Sequence, residues 1–455
     1  MPAGGIWTAQ NKVRPGAYVN FKSVPSPVGT LGSRGTMICA LPMTWGPSAT
    51  LITLYGSDLL DGKSLTKIGC TAFDTIESLP FRMALAGCSK ALLFRSDAGG
   101  IKATKNLSAG SLDATAKYAG TTGNSLTVAI TADKPTLGKF TVEVLFKNIL
   151  RESFIVEVLA DFSAIESEWI DFIVAGTPSS SVIPETVGVS LETGTNGSVS
   201  TSVYTDFFDL ANGAQWQCLA INADEAEVAP LIVTFIKMLR DDRGKKVQAV
   251  VYDAEDSDYE GIISVHQGFK TAVDTVPVDL FPLWVASITA GAQINESNTA
   301  RVVPGAIEIT TPVDEEDIED ALNAGKFILS YRQDGAVCVE KDINTLSTFT
   351  VDKGYAFSKN RLIRCLDEIA NTTALVFNRN YCGKVNNDAI GRNLYKTELI
   401  SFIDKLVGLG AIQNFGGAAD VVVLPGQSID SVVVDLTIQP VDSMEFLYMT
   451  VNVDA

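Results

Sequence analysis

Trp216-Gln-Cys-Leu-Ala-Ile221, the stretch from Ala223 to Asp242, and Val247-Gln-Ala-Val-Val-Tyr252 together decide the fold class of this chain. The first and third runs are short and apolar, as buried strands are. Between them Val228, Leu231, Ile232, Phe235, Met238 and Leu239 recur at helical spacing, and the helix ends at Arg243-Gly244, with cations in its last turn. Strand, helix, strand is a βαβ crossover, which predicts a mainly parallel sheet. Gly261 to His266 adds a strand and Pro282 to Gln293 an apolar helix, continuing a doubly wound α/β pattern. Upstream, from Gly29 to Arg95, the runs Thr36 to Leu41 and Ala91 to Phe94 alternate with a helical piece around Thr75 to Gly87, again α/β in texture.

Between Asn106 and Asn196 the texture changes to Thr, Ser, Val and Gly with short alternating strands, among them Ser125 to Ile130, Phe140 to Leu145 and Ser153 to Val158. This predicts a β-sandwich or barrel. Gly99-Gly100 and Gly194 to Gly197 flank it like the two crossing points of an inserted domain. The last third is α+β: Arg361 to Ile369, an amphipathic helix from Gly391 to Gly408, and alternating runs at Ser431 to Ile438 and Met444 to Val453. The expected division is an arm over 1–25, a split central α/β domain over 26–103 and 198–343, the inserted domain over 104–197 and a C-terminal domain over 344–455.

With 455 residues, 46% hydrophobic and 19% charged, the chain has ample material for several cores. Its start, Met1 to Gln10, has no apolar stretch behind a basic one, and no run approaches the roughly 18 apolar residues of a membrane span, so cytoplasmic synthesis and no membrane partner are expected. The seven cysteines are scattered and never form a CxxC pair, which predicts buried free thiols. A formal charge of -18 argues against a nucleic-acid surface, since phosphate binding rests on Lys and Arg, and points to protein partners.

Sites for chemistry are weak. Gly56 to Gly62-Lys63-Ser64 approaches a phosphate-binding loop, but five residues separate the glycines where the motif has four. Asp253, Asp256, Asp258 and Glu260 lack the alternation of a calcium loop. The acids of Asp314 to Asp320 follow Thr311-Pro312, read as an N-cap and first-turn proline. His266, the single histidine, has no nucleophile motif beside it. No catalytic residue, cofactor or metal is expected.

The chain ends stand out instead. Ala17, Val19 and Phe21 alternate with Tyr18 and Asn20, and Leu447, Met449, Val451 and Val453 alternate with Phe446, Tyr448 and Thr450. Both suit β-augmentation, the addition of a strand to another molecule's sheet; the plainer alternative is that both pair within their own subunit. Val13 to Phe21, Ala116-Lys-Tyr-Ala-Gly-Thr-Thr-Gly-Asn124, Leu239-Arg-Asp-Asp-Arg-Gly244, Ile343-Asn-Thr-Leu346 and Tyr381-Cys-Gly-Lys-Val-Asn-Asn-Asp388, leading to Gly391-Arg392, together resemble the contractile-tail sheath proteins of phages and phage-tail-like bacteriocins.

The resemblance implies a subtilisin-like central domain without the catalytic triad, an outward-facing inserted sandwich, and a C-terminal domain completed by strands from neighbouring subunits. It also implies a homo-oligomer of stacked six-membered rings around an inner tail tube, with baseplate and tail terminator proteins as further partners. Cations outnumber acids nine to five from Lys353 to Lys405, so a tube contact is expected there, through Arg392, Lys396 and Lys405. Hinges are expected near Arg14 to Gly16 and Gly408 to Gly417. The competing class is a secreted or cell-surface β-rich binding module, followed by an enzyme.

Overall fold

A computed structural model describes residues 3–5, 16–18, 34–58, 64–108, 111–132, 138–174, 182–223 and 227–453. The chain divides into two units, Ser33–Asn371 with Pro440–Ala455, and Met1–Gly32 with Thr372–Gln439.

The larger unit begins with β1 (Thr36–Leu41), β2 (Leu51–Tyr55) and β3 (Lys90–Arg95). The chain then leaves for seven strands: β4 (Lys102–Ser108), β5 (Leu112–Ala119), β6 (Leu126–Ala132), β7 (Phe140–Phe146), β8 (Ile149–Val156), β9 (Ile170–Val174) and β10 (Thr186–Ser190). It returns through α1 (Thr201–Gly213), β11 (Cys218–Ile221), α2 (Val228–Lys237), β12 (Gln248–Tyr252), β13 (Ile262–Val265), α3 (Phe281–Gly291) and β14 (Lys326–Phe327).

The central sheet runs β14-β13-β12-β11-β1-β3-β2, parallel throughout except where β2 pairs with β3. Both faces are covered, which is why its strands are apolar without alternation. Ile38, Ala40, Leu219 and Ile221 pack with α1 and α2, while Met37, Cys39, Leu41 and Cys218 pack with α3. Every residue of α3 from Phe281 to Ala290 is buried. Its Phe281 and Trp284 rings stack at 5.7 Å, and each such side chain contributes about 1.5–3 kcal/mol by leaving water. The helix expected over Ala223 to Asp242 begins at Val228, with 224–226 outside the described residues, and continues as a single π turn over Met238–Asp242.

Glycine sets one contact in this core. A Cβ on Gly291 would lie 1.9 Å from the Gly87 carbonyl oxygen, so α3 approaches that turn at backbone distance. Ser287 Oγ accepts hydrogen bonds there from the Gly87 and Cys88 amides at 2.8 and 3.1 Å.

The inserted strands form two sheets, β8-β7-β6-β10 and β9-β5-β4, closed over Leu126, Val128, Val142, Phe146, Trp169 and Ile170. Outgoing Asp97–Ala98 pairs antiparallel with returning Ser198–Val199, and Ile101 bridges to Thr195. Gly100 and Gly197 permit that closeness, since their Cβ atoms would lie 2.7 Å from Thr195 O and 2.3 Å from Ala98 O. Asn124, at the end of one family-like motif, ties the same place by exchanging two hydrogen bonds with the Gly194 backbone at 2.9 and 2.8 Å.

Thr311-Pro312 does not start a helix. Thr311 has a left-handed φ of 53°, and the helix begins only at Ile318, with Asp317 as its N-cap residue. The local competitor is the strand Ala306–Thr310, which pairs with Gly268–Thr271 up to Thr310 and so fixes the preceding backbone as extended. None of the seven cysteines forms a disulfide; six are buried and Cys382 is exposed, and burial pushes the Cys218 thiol up to about 12. Among the described residues no helix is long and apolar enough to cross a membrane.

In the smaller unit α5 (Ala389–Gly408) is capped by Asp388, whose Oδ1 accepts from the Gly391 amide at 2.8 Å. Its Tyr395 and Leu399 pack with Val376, Tyr381 and Val421, the last from the hairpin of β15 (Val421–Pro425) and β16 (Val432–Leu436). Gly408 to Gly417, expected as a hinge, contains buried Ala411 and Ile412 and turn hydrogen bonds from Gly410 and Ala411 back to α5.

Candidate assembly interface

After Pro440 the chain alternates, with Val441, Ser443 and Glu445 partly buried and Asp442 and Met444 exposed. That phase ends at Glu445. Leu447 is 84% exposed, Met449 72%, Val451 69% and Val453 85%. The run Met444 to Val453 has strand periodicity in sequence but no ladder among the described residues. A strand whose backbone and apolar face are both uncovered is an open pairing surface.

The β15–β16 hairpin is the complementary feature. Among the described residues each strand has one ladder partner, and Val422, Leu424, Ile429 and Val433 are exposed. Beside it a cavity of about 610 Å³ is lined by Phe377, Tyr381, Arg392, Tyr395, Ile429 and Val432 among others. Burial, then the Glu398 carboxylate that accepts from Tyr381 Oη at 2.5 Å, pushes the Tyr381 phenol up. At the other end of the chain, Ala17 and Tyr18 lie in Gly16–Tyr18, which pairs in parallel with Ala3–Gly5. Val19 and Phe21 lie outside the described residues.

The residues expected to touch a tube do not share one face. Arg392 and Lys396, four apart on α5, lie on one side, and Lys405, nine further on, points about half a turn away. Arg392 Nη1 donates to the Asn387 carbonyl and to its Oδ1 at 3.0 and 2.9 Å, and Lys396 Nζ donates to Ala418 O at 2.8 Å. Nor do the nine cations from Lys353 to Lys405 make one patch, because Lys359, Arg361 and Arg364 are buried. Arg364 pairs with Asp342 at 2.8 Å with both side chains about 1% exposed, and Lys359 pairs with Glu445. Sequence proximity put these cations together, but the fold turns several of them inward as internal counter-ions.

The remaining polar clusters are structural joints. Arg240 reaches Asp367 in α4 (Asn360–Val376), and Thr345 Oγ1 bonds both the amide and the carbonyl of Tyr259 at 3.1 and 3.0 Å. The four acids considered for calcium go separate ways. Asp258 Oδ1 accepts from the Ser347 and Thr348 amides, and Glu260 pairs with Lys353 at 2.8 Å. Asp253 and Glu255 flank His266 where the parallel strands β12 and β13 end, with ligand atoms all within 4.8 Å. Among the described residues these three are the group able to hold a cation, but Lys326 lies 2.9 Å from Glu255 Oε1 and His266 Nε2 is 2.8 Å from its Oε2, so that carboxylate is already engaged. Asp58 accepts from Ser64 Oγ at 2.5 Å, while Gly62 and Lys63 lie outside the described residues.

The described residues thus form a parallel α/β core split by an inserted β-sandwich, a helix-and-hairpin unit and an exposed terminal run. Three domain families match in chain order: the phage tail sheath protein beta-sandwich domain over 98–196, the phage tail sheath protein central domain over 197–345 and the phage tail sheath C-terminal domain over 352–454. The chain belongs to the phage tail sheath family. It is similar to the phage-like element PBSX protein XkdK of Bacillus subtilis, 29% identical over 100% of both chains. It is also similar to a sheath tail protein of Desulfitobacterium hafniense, with TM-score 0.82 and 33% identity over 94% of this chain and 98% of that one. The fold extends to the helical sheath of the anti-feeding prophage in its contracted state, TM-score 0.54 at 11% identity, covering 96% and 98% of the two chains.

Sequence reasoning missed Lys359 and Glu445 as partners. They stand 86 residues apart, and no local pattern signals such a pairing.

Proposed function

We propose that this protein is the non-enzymatic structural subunit of a contractile tail sheath, part of a virion or phage-tail-like particle. Copies made in the host cytoplasm assemble as hexameric rings stacked around an inner tail tube, between baseplate and terminator proteins. Contraction is rigid-body rearrangement of the subunits, which drives the tube through a target cell envelope. Many identical subunits act together, so each contributes only a small difference between the two lattices, and no nucleotide is needed. The observation that carries this is the terminal strand: Leu447 to Val453 stands uncovered in a chain of the sheath family.

In this reading the domains divide at 25, 103, 197 and 343, and the split core is a subtilisin-like domain without its triad. Leu447, Met449, Val451 and Val453, with Ala17, Tyr18, Val19 and Phe21 from other copies, are the lent strands. The β15–β16 hairpin of the C-terminal domain, with its open edges, takes them. Main-chain ladders of this kind hold whichever way the rest of each subunit turns, so the fabric survives contraction. Arg392 and Lys396, on one side of α5, form the tube contact in this reading, and Lys405, about half a turn away, stands outside it.

Negative-stain microscopy of the purified chain tests it. The full chain forms wide tubes, and removal of Phe446 to Ala455 leaves small particles; tubes from the shortened chain would refute strand lending. Reversing the charge of Arg392 and Lys396 together should release the tube, and unchanged co-sedimentation with tube protein would remove that contact from the proposal.

A further inference from the structure

At Glu445 the C-terminal segment changes character. Before it, Val441, Ser443 and Glu445 face inward in alternation; beyond Phe446 every described residue is exposed. The change coincides with a buried ion pair. Lys359, immediately before α4, has a side chain only 5% exposed, and its ammonium meets Glu445 Oε2 on a carboxylate 8% exposed. The other carboxylate oxygen accepts from Thr299 Oγ1 at 2.9 Å and from Ser443 Oγ at 3.3 Å. Asp442 adds a second carboxylate 3.9 Å from the same ammonium. Lys341 lies over the rings of Tyr355 and Phe446, at 5.5 and 5.7 Å.

This anchor is continuous with a deeply buried polar network of the larger unit. Thr299 Oγ1 accepts from the Asp342 amide at 3.0 Å, and Asp342 Oδ2 accepts from the Asn298 amide at 2.9 Å and from Arg364 at 2.8 Å. Asn360, next to Lys359, donates to Asp342 Oδ1 at 3.0 Å. Glu445 is thus fastened to side chains that cannot move without opening the core.

We propose that the Lys359–Glu445 pair is the fixed base of the C-terminal arm, a built-in stop that sets where the strand offered to another copy begins. The inference rests on the strand-lending reading above. With the base closed, the run Leu447 to Val453 spans about 23–25 Å when extended. With it open, residues 441–446 join the arm and lengthen its reach by roughly 20 Å. A fixed length matters in a lattice, because a slack tether lets neighbouring copies dock at variable separation, whereas a taut one admits a single spacing. Lys359 and Glu445 are positioning residues: they do not pair with another copy but decide the residue at which pairing starts.

Nitroxide labels at Met444→Cys and Tyr448→Cys, each in a Cys382→Ser background of the full chain, read the two sides of the base. In the parent the label at 444, exposed but carried on an anchored backbone, moves less than the label at 448. Lys359→Met releases 444 to the mobility of 448, Glu445→Gln does the same with a smaller change of shape, and the exchange Lys359→Glu with Glu445→Lys restores the difference. Retained circular dichroism and thermal midpoint separate release of the arm from unfolding. Equal mobility at the two positions in the parent, or a label at 444 unmoved by both single variants, overturns the proposal. In assembly, Lys359→Met should form tubes with a broadened distribution of axial repeat, and tubes as regular as the parent's overturn the proposal too. Strand lending fails separately, if the chain lacking Phe446 to Ala455 still forms tubes; the label measurements then still decide whether the base exists.

Discussion

Arg240 and Asp367 meet through two parallel hydrogen bonds, Nη1 to Oδ2 at 2.7 Å and Nη2 to Oδ1 at 2.9 Å, across 127 residues of sequence. Arg240 comes from the π turn after α2 and Asp367 from the middle of α4, and both are buried. Burial disfavours the guanidinium charge, but Asp367 more than offsets this and the group is held above its ordinary range. Asp367→Asn removes the nearer counter-charge and leaves the buried cation only Glu260 at 4.0 Å, which should cost about 3 kcal/mol. Replacing both by apolar residues of similar volume should cost much less. Denaturant unfolding of the larger unit, followed by tryptophan fluorescence, measures the contrast.

Gly291→Ala should be among the most damaging single-methyl additions in the chain. Its Cβ would fall 1.9 Å from a backbone oxygen, with no flexible side chain to yield. Overpacking of this kind costs about 3 kcal/mol or more. Ser287→Ala leaves the Gly87 and Cys88 amides without an acceptor and should cost about 1–3 kcal/mol. Thermal midpoints of the two variants rank them.

The acid limb of stability should bear the mark of Glu255. Burial opposes its ionisation, but hydrogen bonding to Lys326 and the field of His266 outweigh burial and hold the carboxyl at about 2. Asp253, on the other side of the imidazole, is the remaining charge facing the cluster. Because the folded value lies below the unfolded one, the contribution is fully present above the ordinary carboxylate range and is lost as pH falls through about 2. Glu255→Gln should flatten the dependence of stability on pH below about 4.5, measured by denaturant midpoints.

Asn387→Ala should loosen the β15–β16 hairpin. Its Nδ2 donates to the carbonyls of Ile429 and Ser431 at 2.9 and 2.8 Å, and Arg392 holds its other groups. Loss of these bonds costs about 1 kcal/mol and should raise amide exchange in β15 and β16 before it alters the rest of the chain. Tube formation should fall in parallel if the hairpin receives the lent strands.

The doubly wound core was legible because periodicity and length speak locally: Trp216 to Tyr252 spells strand, helix and strand, and α5 was expected within two residues of its start. What periodicity cannot state is who lies opposite. Met444 to Val453 announces which residues share a face and says nothing about a partner, and the structure leaves that partner's place open. Counting cations from Lys353 to Lys405 failed for the same reason, since Lys359 and Arg364 are answered by Glu445 and Asp342 from other parts of the chain. Thr311-Pro312 had the chemistry of a helix start, yet the preceding ladder won.

The side-by-side legs at Ala98 and Ser198 make the inserted sandwich a socketed module. A segment whose two ends already touch adds little closure entropy however long it grows, because that cost rises only with the logarithm of length. The sandwich is therefore the place where this subunit can be resized, or loaded with a foreign passenger, while the seven strands beneath keep their register.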